Sequence, residues 1–192
     1  VEPGADQVTA QGEEIRYQEF LTIMLNKPAG VLSATEDRRQ KTVLDLLPEG
    51  LRRRGLFPAG RLDKDTTGLL LITDDGELAH KMLSPKSHVY KQYRAQLDAP
   101  VEEADIQAFA AGVAWEGEQY APARLWVEQD PRAAFVEIRE GRFHQVKRML
   151  AARGKPVEYL KRLSMGSLRL DDTLAPGEFR LLTAAEEAQL QR

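Results

Sequence analysis

The chain of 192 residues contains no cysteine, which excludes disulfide bonds, thiolate metal ligands and a cysteine nucleophile. It has three histidines, so a zinc site would need carboxylate ligands from elsewhere in the chain. No apolar run approaches the ~20 residues that span a bilayer, and the first residues are acidic and polar, unlike a secretory signal. From these absences we predict a cytoplasmic protein with neither a membrane span nor a metal site.

Several common catalytic motifs are also missing from the sequence. There is no GxxxxGK[ST] loop for nucleotide phosphates, no GxGxxG opening a helix after a strand, no HExxH and no GxSxG. Any chemistry must therefore depend on aspartate, tyrosine, lysine and arginine.

Charge is nearly balanced overall, with a formal net charge of −3, but it is segregated along the chain. Residues 141–169 carry eight lysines and arginines and one acid, and residues 80–97 carry four lysines and arginines and no acid. Residues 98–118 show the reverse, with six acids and no base. This segregation can create a positive face for a phosphate backbone, although a single charge run is more often an ordinary solvated surface.

One aspartate, Asp63, stands in a turn that glycines flank on both sides, within the segment FPAGRLDKDTTGLLLIT at 57–73. The apolar run that follows, Leu69–Ile72, is typical of a strand buried on both faces, so the turn would be held rigidly. Asp63 could be a catalytic acid, or it could simply cap the turn through backbone N–H groups. A calcium loop formed by this carboxylate with Asp65 and Asp74 does not fit, because the EF-hand spacing fails.

The remaining pattern predicts an α+β fold, because strands outnumber helices and follow no regular βαβ order. The predicted strands are Leu21–Leu25, Leu69–Ile72, Tyr90–Leu97, Ala123–Val127, Ala134–Arg139, Val157–Leu163, Ser167–Leu170 and Phe179–Leu182. The predicted helices are Gly76–Leu83, Val101–Ala111, Phe143–Ala152 and a terminal helix capped by Thr183.

A second group of polar residues lies in EGRFHQVKRM at 140–149, where a strand ends and a basic helix begins. Helical spacing brings His144, Lys147 and Arg148 near one face, where they could meet an anion. Alternatively, they form a solvated face while Phe143 and its apolar neighbours in the helix face the core.

Five segments together resemble the motif series of the A-type pseudouridine synthases of the small ribosomal subunit. They are LNKPAGVLSA at 25–34, GRLDKDTTGLLLIT at 60–73, KQY at 91–93, EGRFHQVKRM at 140–149 and PGEFRLLT at 176–183. The resemblance implies an α+β pseudouridine synthase fold, with a mixed, mostly antiparallel central sheet flanked by helices and an active-site cleft between two lobes. Residues 21–192 would form the catalytic domain. Residues 1–20 resemble the tail of an S4-like RNA-binding module, and we expect the rest of that module to be absent.

The resemblance also implies roles for individual residues. Asp63 would be the essential catalytic aspartate, Lys147 its basic partner, and Tyr93 the residue that stacks on the displaced base. An aspartate is ionised at neutral pH, so the chemistry needs neither a cofactor nor a metal. The sequence leaves open whether Asp63 attacks the sugar, adds to the uracil ring or drives an elimination.

The implied substrate is a uridine of ribosomal RNA, which must be extruded from its stack before it can react. We expect Arg61, Lys27, Arg142, His144 and Arg148 to bind the RNA. The two glycines beside Asp63 are expected to leave clearance for the nucleotide. Small-subunit RNA in an assembling ribosome is the preferred target and a monomer the expected state. The alternatives are a large-subunit enzyme of the same branch, a non-catalytic RNA-binding assembly protein, and a metal-dependent nuclease.

Overall fold

The computed structural model describes residues 8–10, 13–15, 20–52, 55–84, 87 and 89–191. The strands are β1 (Val8–Ala10), β2 (Glu13–Ile15), β3 (Thr22–Lys27), β4 (Phe57–Ala59), β5 (Thr67–Thr73), β6 (Lys91–Leu97), β7 (Ala114–Trp115), β8 (Glu118–Gln119), β9 (Arg124–Val127), β10 (Ala133–Ile138), β11 (Val157–Met165), β12 (Leu168–Arg169) and β13 (Phe179–Leu181). The helices are α1 (Glu49–Arg52), α2 (Gly76–Leu83), α3 (Glu103–Ala111), α4 (Gln145–Ala152) and α5 (Ala184–Gln191), with a 3₁₀ turn at Val43–Leu46. Within these described residues, no helix is long and apolar enough to cross a bilayer.

The central sheet has the strand order β13-β3-β5-β11-β6-β10-β9, with β4 added beside β5 and β12 beside β11. Its described strand pairs are antiparallel except for β5 with β11, where Thr67 and Gly68 face Lys161 and Arg162. The predicted α+β class with a mixed, mostly antiparallel sheet is therefore confirmed. This parallel pair joins the two halves of one continuous sheet.

Every residue of strand β5 is buried, as its continuous apolar run predicts. Alternate side chains point to opposite faces. Leu70 and Ile72 belong to the larger apolar cluster, which extends beneath α3 and α4, while Leu69 and Leu71 belong to a smaller cluster with α2. The core therefore lies on both faces of the strand that follows the Asp63 turn.

Gly68 allows the backbones of β5 and β11 to pack closely, and it does not leave space for a nucleotide. Its φ is +100°, and a Cβ atom placed there would lie 2.2 Å from the carbonyl oxygen of Arg162 in β11. A Cβ on Gly60 would meet a side-chain carbon of Leu83 at 2.8 Å, although Gly60 does line the cavity described below. The predicted clearance is thus wrong for Gly68, because protein backbone already fills that space.

Most predicted elements are present with ends shifted by one or two residues. Helix α2 matches its predicted bounds, and the Asp75 carboxylate caps it by accepting from the N–H of Leu78. Helix α4 begins two residues later than predicted, because His144 has the left-handed backbone conformation, with φ of 52°. Most of residues 1–20 lies outside the described residues, apart from the antiparallel hairpin of β1 and β2. The assignment of this segment to an S4-like module stays a prediction.

Candidate active site

A cavity of about 310 Å³ lies over the middle of the sheet, where its two halves meet. The turn between β4 and β5 forms one wall, and the segment 141–147 that leads into α4 forms the opposite wall. The floor comes from β6, β10 and β11, which contribute Tyr93, Ile138 and Leu160 among others. The volume is in the range of pockets that hold small organic groups. Asp63, Tyr93 and Lys147 all line this one cavity.

A buried lysine holds the turn that carries Asp63. Lys27 is fully buried at the end of β3. Its Nζ lies 2.9–3.2 Å from four backbone carbonyl oxygens, those of Pro28, Asp63, Lys64 and Thr66. Burial lowers the pKa of Lys27 to about 8, although the nearby carboxylates oppose this shift. An ammonium group has three N–H donors, so none remains for RNA. The prediction that Lys27 binds RNA is therefore corrected, since this residue positions the Asp63 turn.

The Asp63 carboxylate contacts two basic side chains at the beginning of α4. Lys147 Nζ lies 3.0 Å from Asp63 Oδ2, and His144 Nε2 lies 3.2 Å from Asp63 Oδ1. Lys147 also reaches Asp65 Oδ1 at 2.7 Å. Asp63 is the carboxylate that lines the cavity, and its side chain is 25% exposed, whereas the side chain of Asp65 is 75% exposed. The arrangement fixes an accessible carboxylate in one orientation.

These contacts change the proton affinities of the groups involved. Burial acts to lower the pKa of Lys147, but hydrogen bonds to Asp65 and Asp63 outweigh it and raise that pKa above its ordinary value. The same hydrogen bond from Lys147 lowers the pKa of Asp65. Lys147 therefore remains an ammonium at neutral pH.

Local geometry explains why His144 and Lys147 converge. Lys147 lies in the first turn of α4, and His144 is the residue just before the helix, where its left-handed backbone conformation accompanies a side chain that also reaches Asp63. Arg148 points elsewhere: its Nη1 lies 3.3 Å from the Tyr120 hydroxyl and 3.6 Å from a carboxylate oxygen of Glu118.

The other predicted RNA-binding arginines surround the cavity mouth. Arg61 is exposed and lines the cavity beside Asp63. Arg142 also lines it, but its guanidinium donates to a Glu118 carboxylate oxygen at 2.8 Å and lies over the Tyr120 ring. Roles of these arginines in RNA binding stay predictions.

Tyr93 is 7% exposed and lies in β6, opposite Val136 of β10 and Arg162 of β11. Directly opposed residues in antiparallel strands share a face of the sheet. Its ring thus lines the cavity floor between a valine and an arginine, in a position where a flat base could stack on it.

Three further residues of the site were not recognised from the sequence. Lys91 and Arg162 are buried at the cavity floor. The third residue is Phe143, which would face the core if the basic residues of α4 formed a solvated face, but it is 66% exposed. The Phe143 ring stacks on His144 with 3.7 Å between ring centroids. The left-handed conformation of His144 turns the chain just before the helix, which accounts for the exposure. Lys91 belongs to a quoted motif, whereas no sequence signal distinguishes Arg162 from a surface arginine.

Comparisons with known proteins identify the family of the chain and its fold. The sequence model of a family described as RNA pseudouridylate synthase matches residues 21–152. An uncharacterized RNA pseudouridine synthase of Bacillus subtilis is 50% identical over 190 residues, which cover 97% of this chain and 80% of that protein. Ribosomal small subunit pseudouridine synthase A of Yersinia pestis is 47% identical over 169 residues, which cover 87% of this chain and 71% of that protein. The crystal structure of a pseudouridylate synthase has a TM-score of 0.84 and 39% identity, covering 97% of this chain and 84% of that one. The predicted pseudouridine synthase fold is thereby confirmed.

Proposed function

Since this chain belongs to the RNA pseudouridylate synthase family, we propose that it isomerises a uridine of small-subunit ribosomal RNA to pseudouridine, with Asp63 as the essential carboxylate. Membership makes it an RNA pseudouridine synthase. The choice of the small subunit is supported by the name of the Yersinia pestis relative. We further propose that the protein works in the cytoplasm, as a monomer, on RNA in an assembling ribosome.

One observation carries the role of Asp63: it is a cavity-facing carboxylate oriented by two basic side chains. Lys147 and His144 hold its two oxygens at 3.0 and 3.2 Å. A carboxylate held in this orientation can take part directly in breaking the bond between C1′ of the ribose and N1 of uracil. The uracil then rotates and rejoins the sugar through C5, after which C5 loses its proton and N1 gains one. The product is an isomer, so no other reactant is consumed.

Tyr93 is proposed to hold the uracil during this rotation. A nearly buried ring on the cavity floor offers an apolar face to a base that has left its stack. Extrusion of the base costs a few kcal/mol, and phosphate contacts by the basic residues at the mouth would offset it. Arg61 is one of these, an exposed residue of the cavity wall beside Asp63.

The test compares Asp63→Asn with the wild-type chain on ribosomal RNA transcripts carrying tritium at C5 of uridine. Tritium release reports the reaction, because C5 loses its hydrogen only when the new bond forms. We expect Asp63→Asn to abolish release while the affinity for RNA stays within several-fold. Treatment with EDTA should not change the wild-type rate.

Asp65→Asn is the matched control. It also removes one carboxylate charge, two positions from Asp63, and Asp65 also binds Lys147. It should lose far less activity than Asp63→Asn. Activity retained by Asp63→Asn, or lost on chelation, would contradict the proposed role. Chemical mapping of pseudouridines in both ribosomal RNAs, from cells with and without the protein, identifies which RNA is modified. If the missing site lies only in the large-subunit RNA, that part of the proposal is overturned.

A further inference from the structure

Two basic side chains lie buried at the floor of the cavity, apart from those that hold Asp63. Lys91 in β6 is 6% exposed and Arg162 in β11 is 2% exposed, and both line the cavity. Lys91 is two positions before Tyr93 on the same face of β6, and Arg162 lies directly opposite Tyr93. The two cations therefore flank the ring on which the base is proposed to stack.

Neither cation has an acidic partner within the part of the chain that the structure describes. Lys91 Nζ donates only to backbone carbonyls, those of Val89 at 3.2 Å and Glu140 at 3.5 Å, which leaves one of its three N–H donors unused. Arg162 Nε donates to the carbonyl of Leu69 at 2.8 Å, while its buried Nη2 has no hydrogen-bond partner among the described residues. A buried, unsatisfied donor of a charged group is costly, so its retention calls for an explanation.

The energetic cost of this arrangement is visible at Lys91. Burial, and to a smaller extent the charge of Arg162, lower the pKa of Lys91 to about 8. The lysine is still mainly protonated at neutral pH, but it lacks a negative charge nearby. An electronegative group that enters the cavity would relieve both cations.

Because Lys91 and Arg162 lie at the floor of the cavity, only some parts of a bound nucleotide could reach them. The phosphates of the target nucleotide remain bonded to the rest of the RNA, so they must stay at the cavity mouth, near exposed residues such as Arg61. The base is the part that can reach the floor beside Tyr93. The hydrogen-bond acceptors of uracil are its carbonyl oxygens, O2 and O4.

We propose that Lys91 and Arg162 bind the carbonyl oxygens of the uracil and stabilise it as the anion released when the glycosidic bond breaks. This inference depends on the proposed function. The electron pair of the C1′–N1 bond stays on N1 and is shared with O2 and O4, to which N1 is conjugated. A cation stabilises this anion more than the neutral base of the bound substrate, so the contact lowers the barrier rather than strengthening RNA binding. Lys91 is thus a catalytic residue and not a phosphate contact.

The test uses Lys91→Met, which removes the charge and keeps a similar length, and Lys91→Arg, which keeps the charge. Single-turnover rates are measured at saturating RNA, on whichever ribosomal RNA transcript the wild-type chain modifies. A second transcript carries 5-fluorouridine in place of uridine, because fluorine stabilises the uracil anion and makes the base a better leaving group. Cleavage and rearrangement of the nucleoside are followed by chromatography of digested RNA. Arg94→Met is the matched control, since it removes a positive charge from the same strand on its exposed face.

We expect Lys91→Met to slow the reaction of uridine on the order of 10²-fold, as loss of one donor to a developing anion does. The affinity for RNA should change little, the loss should be much smaller with 5-fluorouridine, and Lys91→Arg should keep part of the rate. Arg94→Met should react as fast as the wild type.

An equal loss on both transcripts would show a structural role and overturn the proposal. A loss of RNA affinity with an unchanged single-turnover rate would show a phosphate contact and overturn it as well. Asp63→Asn separates this inference from the proposed function. If that variant is active, the proposed function fails. If it is inactive while Lys91→Met reacts normally, only the present inference fails.

Discussion

Replacing Gly68 by alanine tests how the two halves of the sheet are held together. The substitution places a Cβ atom 2.2 Å from the carbonyl oxygen and 2.7 Å from the nitrogen of Arg162. Both atoms belong to the backbone of β11, so a side-chain rotation cannot relieve the overlap. The affected contact is the parallel pairing of β5 with β11, which connects the strand after Asp63 to the strand that carries Arg162.

The expected loss of stability has two parts. Alanine with φ near +100° is strained by about 1–3 kcal/mol, and forcing an extra methyl group into a filled space costs about 1–3 kcal/mol more. The midpoints add to about 4 kcal/mol, a large share of the roughly 5–15 kcal/mol that stabilises a typical domain. Activity should fall too, because separation of the strands displaces Asp63 relative to the floor of the cavity.

Urea unfolding followed by tryptophan fluorescence measures the effect, since Trp126 stacks on Phe135 within the sheet. Gly30→Ala is the matched control: its φ is +89°, but nothing lies within 4 Å of the added Cβ atom. It should show the backbone strain alone and lose about 2 kcal/mol. The reasoning is refuted if Gly68→Ala is no less stable than Gly30→Ala.

Three further substitutions test the charged groups of the site. Lys147→Met should reduce turnover much more than RNA affinity, because Asp63 loses its closest cation; equal losses in rate and binding assays would make Lys147 a phosphate contact. Lys27→Met should destabilise the Asp63 turn, because four carbonyls lose their donor. Its midpoint of urea unfolding should therefore be lower than that of the control variant Lys64→Met. Lys91→Met should be at least as stable as the wild type at pH 7, because a costly buried charge is removed. The pKa of Lys91 is about 8 in the folded protein and about 10.4 in the unfolded chain, so the unfolded chain binds more protons between these pH values. The contribution of Lys91 to the free energy of unfolding therefore increases as pH rises from about 8 to about 10.4. Thermal unfolding across that range should show this increase in the wild type and not in Lys91→Met.

Elements with strong local signals were predictable from sequence. The continuous apolar run of β5 and the capped, amphipathic α2 agree with their predicted positions, because burial on both faces and an aspartate cap depend on a few neighbouring residues. The start of α4 was predicted two residues too early. His144 has a positive φ and contacts Asp63 and Phe143, and helical periodicity carries no information about these features.

The lysines show most clearly what could not be predicted from the sequence. Lys27 was expected to bind RNA, but the four carbonyls that occupy its ammonium group come from positions 28–66. Whether a lysine meets RNA, a carboxylate or backbone carbonyls depends on how distant segments fold around it. From the sequence alone, a lysine with any of these three partners is predicted to be a surface cation.

The sequence by itself determined the chemistry that this protein can use. Its lack of cysteine and of nucleotide-binding loops left aspartate, tyrosine, lysine and arginine, and the ordered motifs around Asp63 indicated the family. Only the tertiary structure decided which groups meet. Asp65 and Lys147 are 82 positions apart, and the folded sheet is what brings α4 to the Asp63 turn. The burial of Lys91 and Arg162 without acidic partners among the described residues is likewise a property of the assembled sheet, because the cost of a charge depends on what surrounds it.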